Sequence, residues 1–169
     1  MVYLEKDSFV AKGSNRHLYL HKNFPGKCIK IVLDETKKFL RKNNSYWYKR
    51  FFPLSYFGEN KKELKYYKNI LNKKNTEIFE YIPKMYGTIE TNIGEGLLFD
   101  YFENTISLKD YIEKFGFDNE IINQMKFFFK IILENNVQLR DQNIYNYLVQ
   151  NINNTTNEVV MGGGKIKIN

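Results

Sequence analysis

The run Lys27-Cys28-Ile29-Lys30-Ile31-Val32 sets one lysine in the middle of an otherwise apolar, strand-forming segment. Its period-two pattern predicts a strand with Cys28, Lys30 and Val32 on one face and Ile29 and Ile31 on the other. Among apolar neighbours the Lys30 ammonium has to snorkel to solvent, pair with a carboxylate or meet a phosphate, because an unpaired buried ammonium is costly. Upstream, Phe9 to Leu20 reads as strand, a turn containing Gly13 and Ser14, then strand. The chain up to Val32 is therefore expected to be three strands with Lys30 on the third. Two roles stay open for that residue, an edge lysine of a plain meander or a lysine that faces a ligand.

Downstream, Asp34 to Asn60 is a polar and aromatic stretch that holds the only tryptophan. Within it, Tyr46-Trp47-Tyr48-Lys49-Arg50-Phe51-Phe52 interleaves rings with bases, a pattern that stacks on nucleobases in some proteins. The reading preferred for it is an insert whose aromatics dock on the body, since exposing so many rings creates an apolar patch. Asn60 to Leu71 has Leu64, Tyr67 and Leu71 on one helical stripe, with Ile70 close by and Glu63 at the edge of the apolar face. Tyr81 to Glu90 and Gly96 to Phe102 read as two strands around the turn Thr91 to Glu95, the second apolar on both faces. A helix follows with Ser107 as N-cap, and Asn119 to Asn135 is the longest helical signal. After it come a loop through Asp141 and Asn143, a strand, an Asn/Thr loop, the strand Glu158 to Met161 and Gly162-Gly163-Gly164.

With 169 residues, 43% of them hydrophobic and 17% aromatic, the chain has material for one domain or two small lobes. The formal charge of +7 favours an anionic partner. The bases are spread along the chain, however, and the wealth of Asn, Lys, Ile, Tyr and Phe follows AT-rich coding, so charge alone argues little for nucleic acid. Cys28 is the only cysteine, which excludes an internal disulfide and a cysteine zinc site, and His17 and His21 read as surface or edge histidines. No apolar run reaches membrane-spanning length and no signal peptide is legible, so a soluble, cytoplasmic protein is expected.

A lysine on a third strand, a glutamate on the next helix, two strands, a non-helical linker and then helices follow the order of protein-kinase-like folds. The expected fold class is α+β: a two-lobe, protein-kinase-like fold with an antiparallel N-terminal sheet and one helix. A short, helical C-terminal lobe completes it, truncated if a coding slip at the three glycines replaced the natural end. Residues 1–103 would form the first lobe, with an aromatic insert at 34–60, and residues 104–169 the second. On these blocks, chiefly Lys27 to Val32, Lys62 to Tyr67, Ile82 to Thr91, Gly94-Glu95-Gly96 and Gln142-Asn143-Ile144, the chain resembles the family of the PhoP-regulatory-network protein YrbL. The resemblance runs from about Gly13 to Met161 and implies a cytoplasmic bacterial protein tied to envelope or stress regulation.

A kinase-like plan implies ATP and Mg²⁺ as cofactors and a nucleotide-binding cleft, with a small molecule or a protein as further partner. Gly13 and Ser14 would cover the phosphates, Lys30 would bind them and Glu63 would hold Lys30. Backbone near Asp100 and Phe102 would meet the adenine. The motif H-R-D-L-x-x-x-N sets a catalytic aspartate five residues before a metal-binding asparagine. With Asn143 as that metal ligand, the place falls on Gln138, which takes no proton; Asp141, only two residues before Asn143, becomes the catalytic base only in a rebuilt loop. Nor does a carboxylate precede Gly162, where a second metal ligand belongs. The pattern therefore predicts degenerate phosphotransfer machinery, a regulatory or weakly active protein. The alternatives are an active small-molecule or sugar kinase using Asp141, and a basic-aromatic nucleic-acid-binding domain, the least favoured of the three.

Overall fold

Lys27–Val32 forms strand β3, and the buried Ile29 and Ile31 alternate with half-buried Lys30 and Val32 as the period-two pattern requires. The structure, a computed structural model, describes residues 1–12, 16–32, 42–52, 59–71, 77–139, 142–152, 156–162 and 166–168. Gly13, Ser14 and Asp141 lie outside the described residues. The chain divides into two compact units, the first Met1–Lys65 with Met85–Phe99, the second Tyr66–Lys84 with Asp100–Asn169.

In the first unit, β1 (Phe9–Lys12), β2 (Arg16–Leu20) and β3 pair antiparallel in succession. With β4 (Met85–Thr91) and β5 (Gly94–Asp100) they form one five-stranded sheet in the order β1-β2-β3-β5-β4. Helix α1 (Glu59–Leu71) lies between β3 and β4 in sequence. One face of the sheet is closed by the N-terminal segment: Leu4 packs with Ile29 and Ile31 against Val2, Tyr19, Ile89 and Leu98. Val2 N donates to Glu90 O at 2.8 Å and Leu4 N to the Asn92 Oδ1 at 2.8 Å, which ties this segment to the edge at β4. The β4–β5 hairpin turns through Asn92-Ile93 into Gly94, whose φ of +122° suits a residue without a Cβ. Gly96 lies so close to β3 that a Cβ on it would sit 2.5 Å from Ile29 Cγ2.

The second unit carries helices α2 (Ile78–Tyr81), α3 (Leu108–Phe115) and α4 (Asn119–Glu134). Ser107 caps α3 as its position predicts, accepting from Asp110 N at 3.1 Å, and Asp118 caps α4 by accepting from Ile121 N at 2.8 Å. Strands β6 (Thr105–Ser107), β8 (Tyr147–Ile152) and β9 (Thr156–Met161) form a three-stranded sheet in the order β6-β8-β9. The short strand β7 (Val137–Leu139) pairs with β10 (Ile166–Ile168). Phe128 of α4 meets Tyr147 of β8 edge to face, with ring centroids 5.8 Å apart, and both are buried.

Three expectations change. His21, read as a surface or edge histidine, is buried, with its ring against Phe24 and its Nδ1 accepting from Asn23 N at 3.2 Å. The strand read from Tyr81 begins only at Met85, because Ile78–Tyr81 winds into a helical turn and Pro83, lacking an N–H, cannot donate to a ladder. The aromatics expected to dock on the body are exposed: Trp47 by 74%, Phe51 by 82% and Tyr46 by 72%, with Tyr48 and Phe52 less so. Residues Trp47–Phe51 form a 3₁₀ turn in which Trp47 packs edge-on against Tyr48 and Phe51, so these rings shield one another instead of the core. No described helix is long and apolar enough to cross a membrane.

Candidate functional site

Register sets the neighbourhood of Lys30. Leu18 stands opposite Lys30 and Arg16 opposite Val32, so Arg16, Leu18, Lys30 and Val32 project from one face of the sheet. The opposite face is the one filled by Leu4, Ile29 and Ile31. Helix α1 is fastened to the Arg16 face, because Glu63 accepts from Arg16 Nη1. Asn60, one turn earlier on the same helix, donates from Nδ2 to the Glu95 carbonyl at 3.2 Å.

Glu63 thus reaches the face that carries Lys30, but its carboxylate is held by Arg16. The pair is buried, with the two side chains 17% and 6% exposed. Arg16 sits diagonally across from Lys30, and a planar guanidinium holds a buried carboxylate with more donors than an ammonium offers. Lys30 instead lies over the ring of Phe99, with Nζ 4.1 Å from its centroid. Among the described residues no carboxylate pairs with Lys30. Arg16 escaped the sequence reading because it stands next to the glycine turn; the signal available was the register, since a two-strand hairpin puts it diagonal to Lys30.

In the second unit, Asp100 N donates to Lys84 O at 2.9 Å and Phe102 O accepts from Thr105 Oγ1 at 3.3 Å, so part of the backbone proposed for adenine already has internal partners. Asn143 is exposed and N-caps the 3₁₀ turn Ile144–Asn146, its Oδ1 accepting from Tyr145 N at 3.1 Å. Asn146 closes that turn, and its carbonyl accepts from Gly162 N at 2.9 Å. A Cβ on Gly162 would overlap the Leu148 side chain, so the chain leaving β9 runs directly beside the Asn146 turn.

Asn146 is the residue that counting back from Asn143 overlooks. It stands five residues after Asp141, and Asp141 follows Arg140, so Leu139-Arg140-Asp141-Gln142-Asn143-Ile144-Tyr145-Asn146 has the spacing of H-R-D-L-x-x-x-N with leucine in place of the histidine and glutamine in place of the leucine. Counting forward from the Arg-Asp pair would have found it. Gln138 belongs to β7, paired in register with Lys167. Among the described residues no group of three or more His, Cys, Asp or Glu side chains is placed to hold a metal ion.

A titratable pair lies elsewhere in this unit. Tyr81 of α2 and Glu158 of β9 lie close enough for each to shift the titration of the other. Burial pushes the Glu158 carboxyl above its ordinary value, partly offset by Tyr81, and Glu80 pushes it further up. Burial also raises the Tyr81 phenol, with the Glu158 charge acting in the same direction.

A family model described as PhoP regulatory network protein YrbL matches residues 2–165 of the chain. No curated protein matches it.

Proposed function

The chain belongs to the PhoP regulatory network protein YrbL family, and on that premise we propose that it is a kinase-like, nucleotide-binding member with depleted phosphotransfer machinery. The observation that carries this reading is the lysine on β3 sharing a sheet face with the glutamate of the following helix, the arrangement that kinase-like phosphate binding uses. The pair is altered here, since Arg16 holds Glu63. That leaves the Lys30 ammonium half-buried on Phe99 without a carboxylate among the described residues, which suits a cation that meets a phosphate.

The Arg140-Asp141 to Asn146 spacing supports Asp141 as the base that orients an acceptor hydroxyl and Asn146, in preference to Asn143, as the amide beside it. Val159, Val160 and Met161 before Gly162 are buried and carry no carboxylate, so the second metal ligand of this plan is missing. Mg²⁺ brought by ATP would neutralise charge on the phosphates, and this chain adds to it at most the Asp141 carboxylate and an asparagine amide. Lys30 binds phosphate, Asp141 accepts the hydroxyl proton and Asn146 orients that loop; with one acidic group gone, transfer is slow and binding outlasts catalysis.

A second reading, an active ATP-dependent kinase of a small molecule or sugar, is favoured by the same Asp141 to Asn146 spacing. Phosphoryl transfer from ATP to a panel of sugar and small-molecule hydroxyl acceptors, assayed with the full chain, separates the two. The depleted reading expects turnover of about 0.01 s⁻¹ or slower, against roughly 1–100 s⁻¹ for kinases. Turnover in the kinase range that is lost in Asp141→Asn would establish the active reading instead.

A further inference from the structure

We infer that the exposed turn Tyr46–Phe52 is a contact surface for single-stranded nucleic acid. Its position in the charge pattern is the first argument. Residues 36–58 contain six bases, Lys37, Lys38, Arg41, Lys42, Lys49 and Arg50, and no acidic residue, a net +6 in a chain of net +7. A second excess lies at residues 60–76, six lysines against Glu63, and a local excess beside exposed rings is the footprint expected for a polyanion.

The rings supply the second argument. Tyr46 and Tyr48 are parallel to within 11°, with centroids 5.9 Å apart, and Lys49 Nζ lies 5.6 and 5.8 Å from those two centroids. Trp47 stands edge-on to Tyr48 and Phe51 edge-on to Trp47, and the two are 74% and 82% exposed. Among the described residues, Tyr46, Trp47, Tyr48 and Phe51 make ring contacts only with one another and with Lys49. Stacked nucleobases are parallel and carry a phosphate at their margin, so parallel rings with a cation alongside match a strand in both geometry and charge. A bilayer interface takes up rings by depth and asks for no common plane. A duplex hides its base faces, which leaves only its phosphates for this turn.

Trp47 is the only tryptophan, so its emission reports on this turn alone. The full chain is titrated with a fluorescein-labelled oligothymidylate of about twelve nucleotides, the same sequence as duplex, and vesicles of equal parts phosphatidylserine and phosphatidylcholine. The expected result is quenching of Trp47 by the single strand, with tighter binding than to duplex. The affinity should fall with salt at a log–log slope of about −2, the value for three phosphates neutralised by Lys42, Lys49 and Arg50. Tyr46→Ala and Tyr48→Ala should each weaken binding by about 5- to 100-fold. Lys49→Ala/Arg50→Ala should reduce the salt slope by about 1.4. Each variant keeps the thermal transition of the parent, because these side chains lie outside the core. Absence of quenching by the single strand overturns the inference, as does binding that ignores these four substitutions or that prefers duplex. A blue shift with vesicles and no response to oligonucleotide overturns it in favour of a lipid surface.

Discussion

The guanidinium of Arg16 on β2 holds the carboxylate of Glu63 on α1, while Lys30, diagonal to Arg16 on the same face, rests on Phe99. Removing one partner of a buried ion pair strands the other charge. Arg16→Met is therefore expected to cost roughly 3 kcal/mol in urea unfolding, whereas Arg16→Met/Glu63→Leu recovers most of that loss. Lys30→Met should cost less than about 1 kcal/mol, since only a cation–π contact is lost. Equal losses for Arg16→Met and Lys30→Met would mean that Glu63 depends on both.

Gly96 has no room for a side chain. An alanine Cβ there would lie 2.5 Å from Ile29 Cγ2 and 3.2 Å from Ile31 Cγ1, both on fully buried residues. Gly96→Ala should destabilise by about 1–3 kcal/mol, the range for overpacking a filled core. A denaturant midpoint unchanged from the parent would show that β3 and β5 can separate without penalty.

The helix caps of the second unit differ in what they hold. Ser107 Oγ accepts from Asp110 N and donates to Asp110 Oδ2, both within its own turn, while Asp118 accepts from Ile121 N and also from the Tyr111 hydroxyl of the preceding helix at 3.3 Å. Ser107→Ala should cost about 1 kcal/mol and Asp118→Ala more, because it also removes the contact that ties α3 to the start of α4. Thermal unfolding of the two variants side by side reads the order directly.

Glu158 makes stability depend on pH. Burial raises its folded carboxyl above the unfolded value, so the folded state keeps the proton longer than the unfolded chain does. Its contribution is complete below the unfolded carboxylate pKa of about 4.3 and is lost as pH rises through the raised folded value. Glu158→Gln should therefore be more stable than the parent at neutral pH, with the difference closing in acid. A difference that stays constant from acid to neutral pH would remove Glu158 from the account.

Local pattern revealed those parts of the fold that local physics decides. The alternation in Lys27 to Val32, the helix α1 with Tyr67 and Ile70 buried, the Ser107 cap and the long helix α4 appear where the residue pattern puts them. What stayed hidden depends on cross-strand register. Arg16 takes Glu63 because the hairpin sets Arg16 opposite Val32, a relation between residues 16 apart in sequence. The aromatic turn was misjudged for a similar reason: rings that pack on each other need no core, and composition cannot tell the two cases apart. The proposed role of Asn146 rests on spacing that the sequence already carries when counted from Asp141.

Nucleotide binding is the claim on which the proposed function stands, and isothermal titration of the full chain with ADP, with and without Mg²⁺, measures it most directly. Saturable binding is expected in the parent, weakened at least about tenfold in Lys30→Ala through loss of a charge-assisted contact worth roughly 1.5–3 kcal/mol, and retained in Asp141→Asn. No heat of binding in the parent, or binding indifferent to Lys30→Ala, would contradict it.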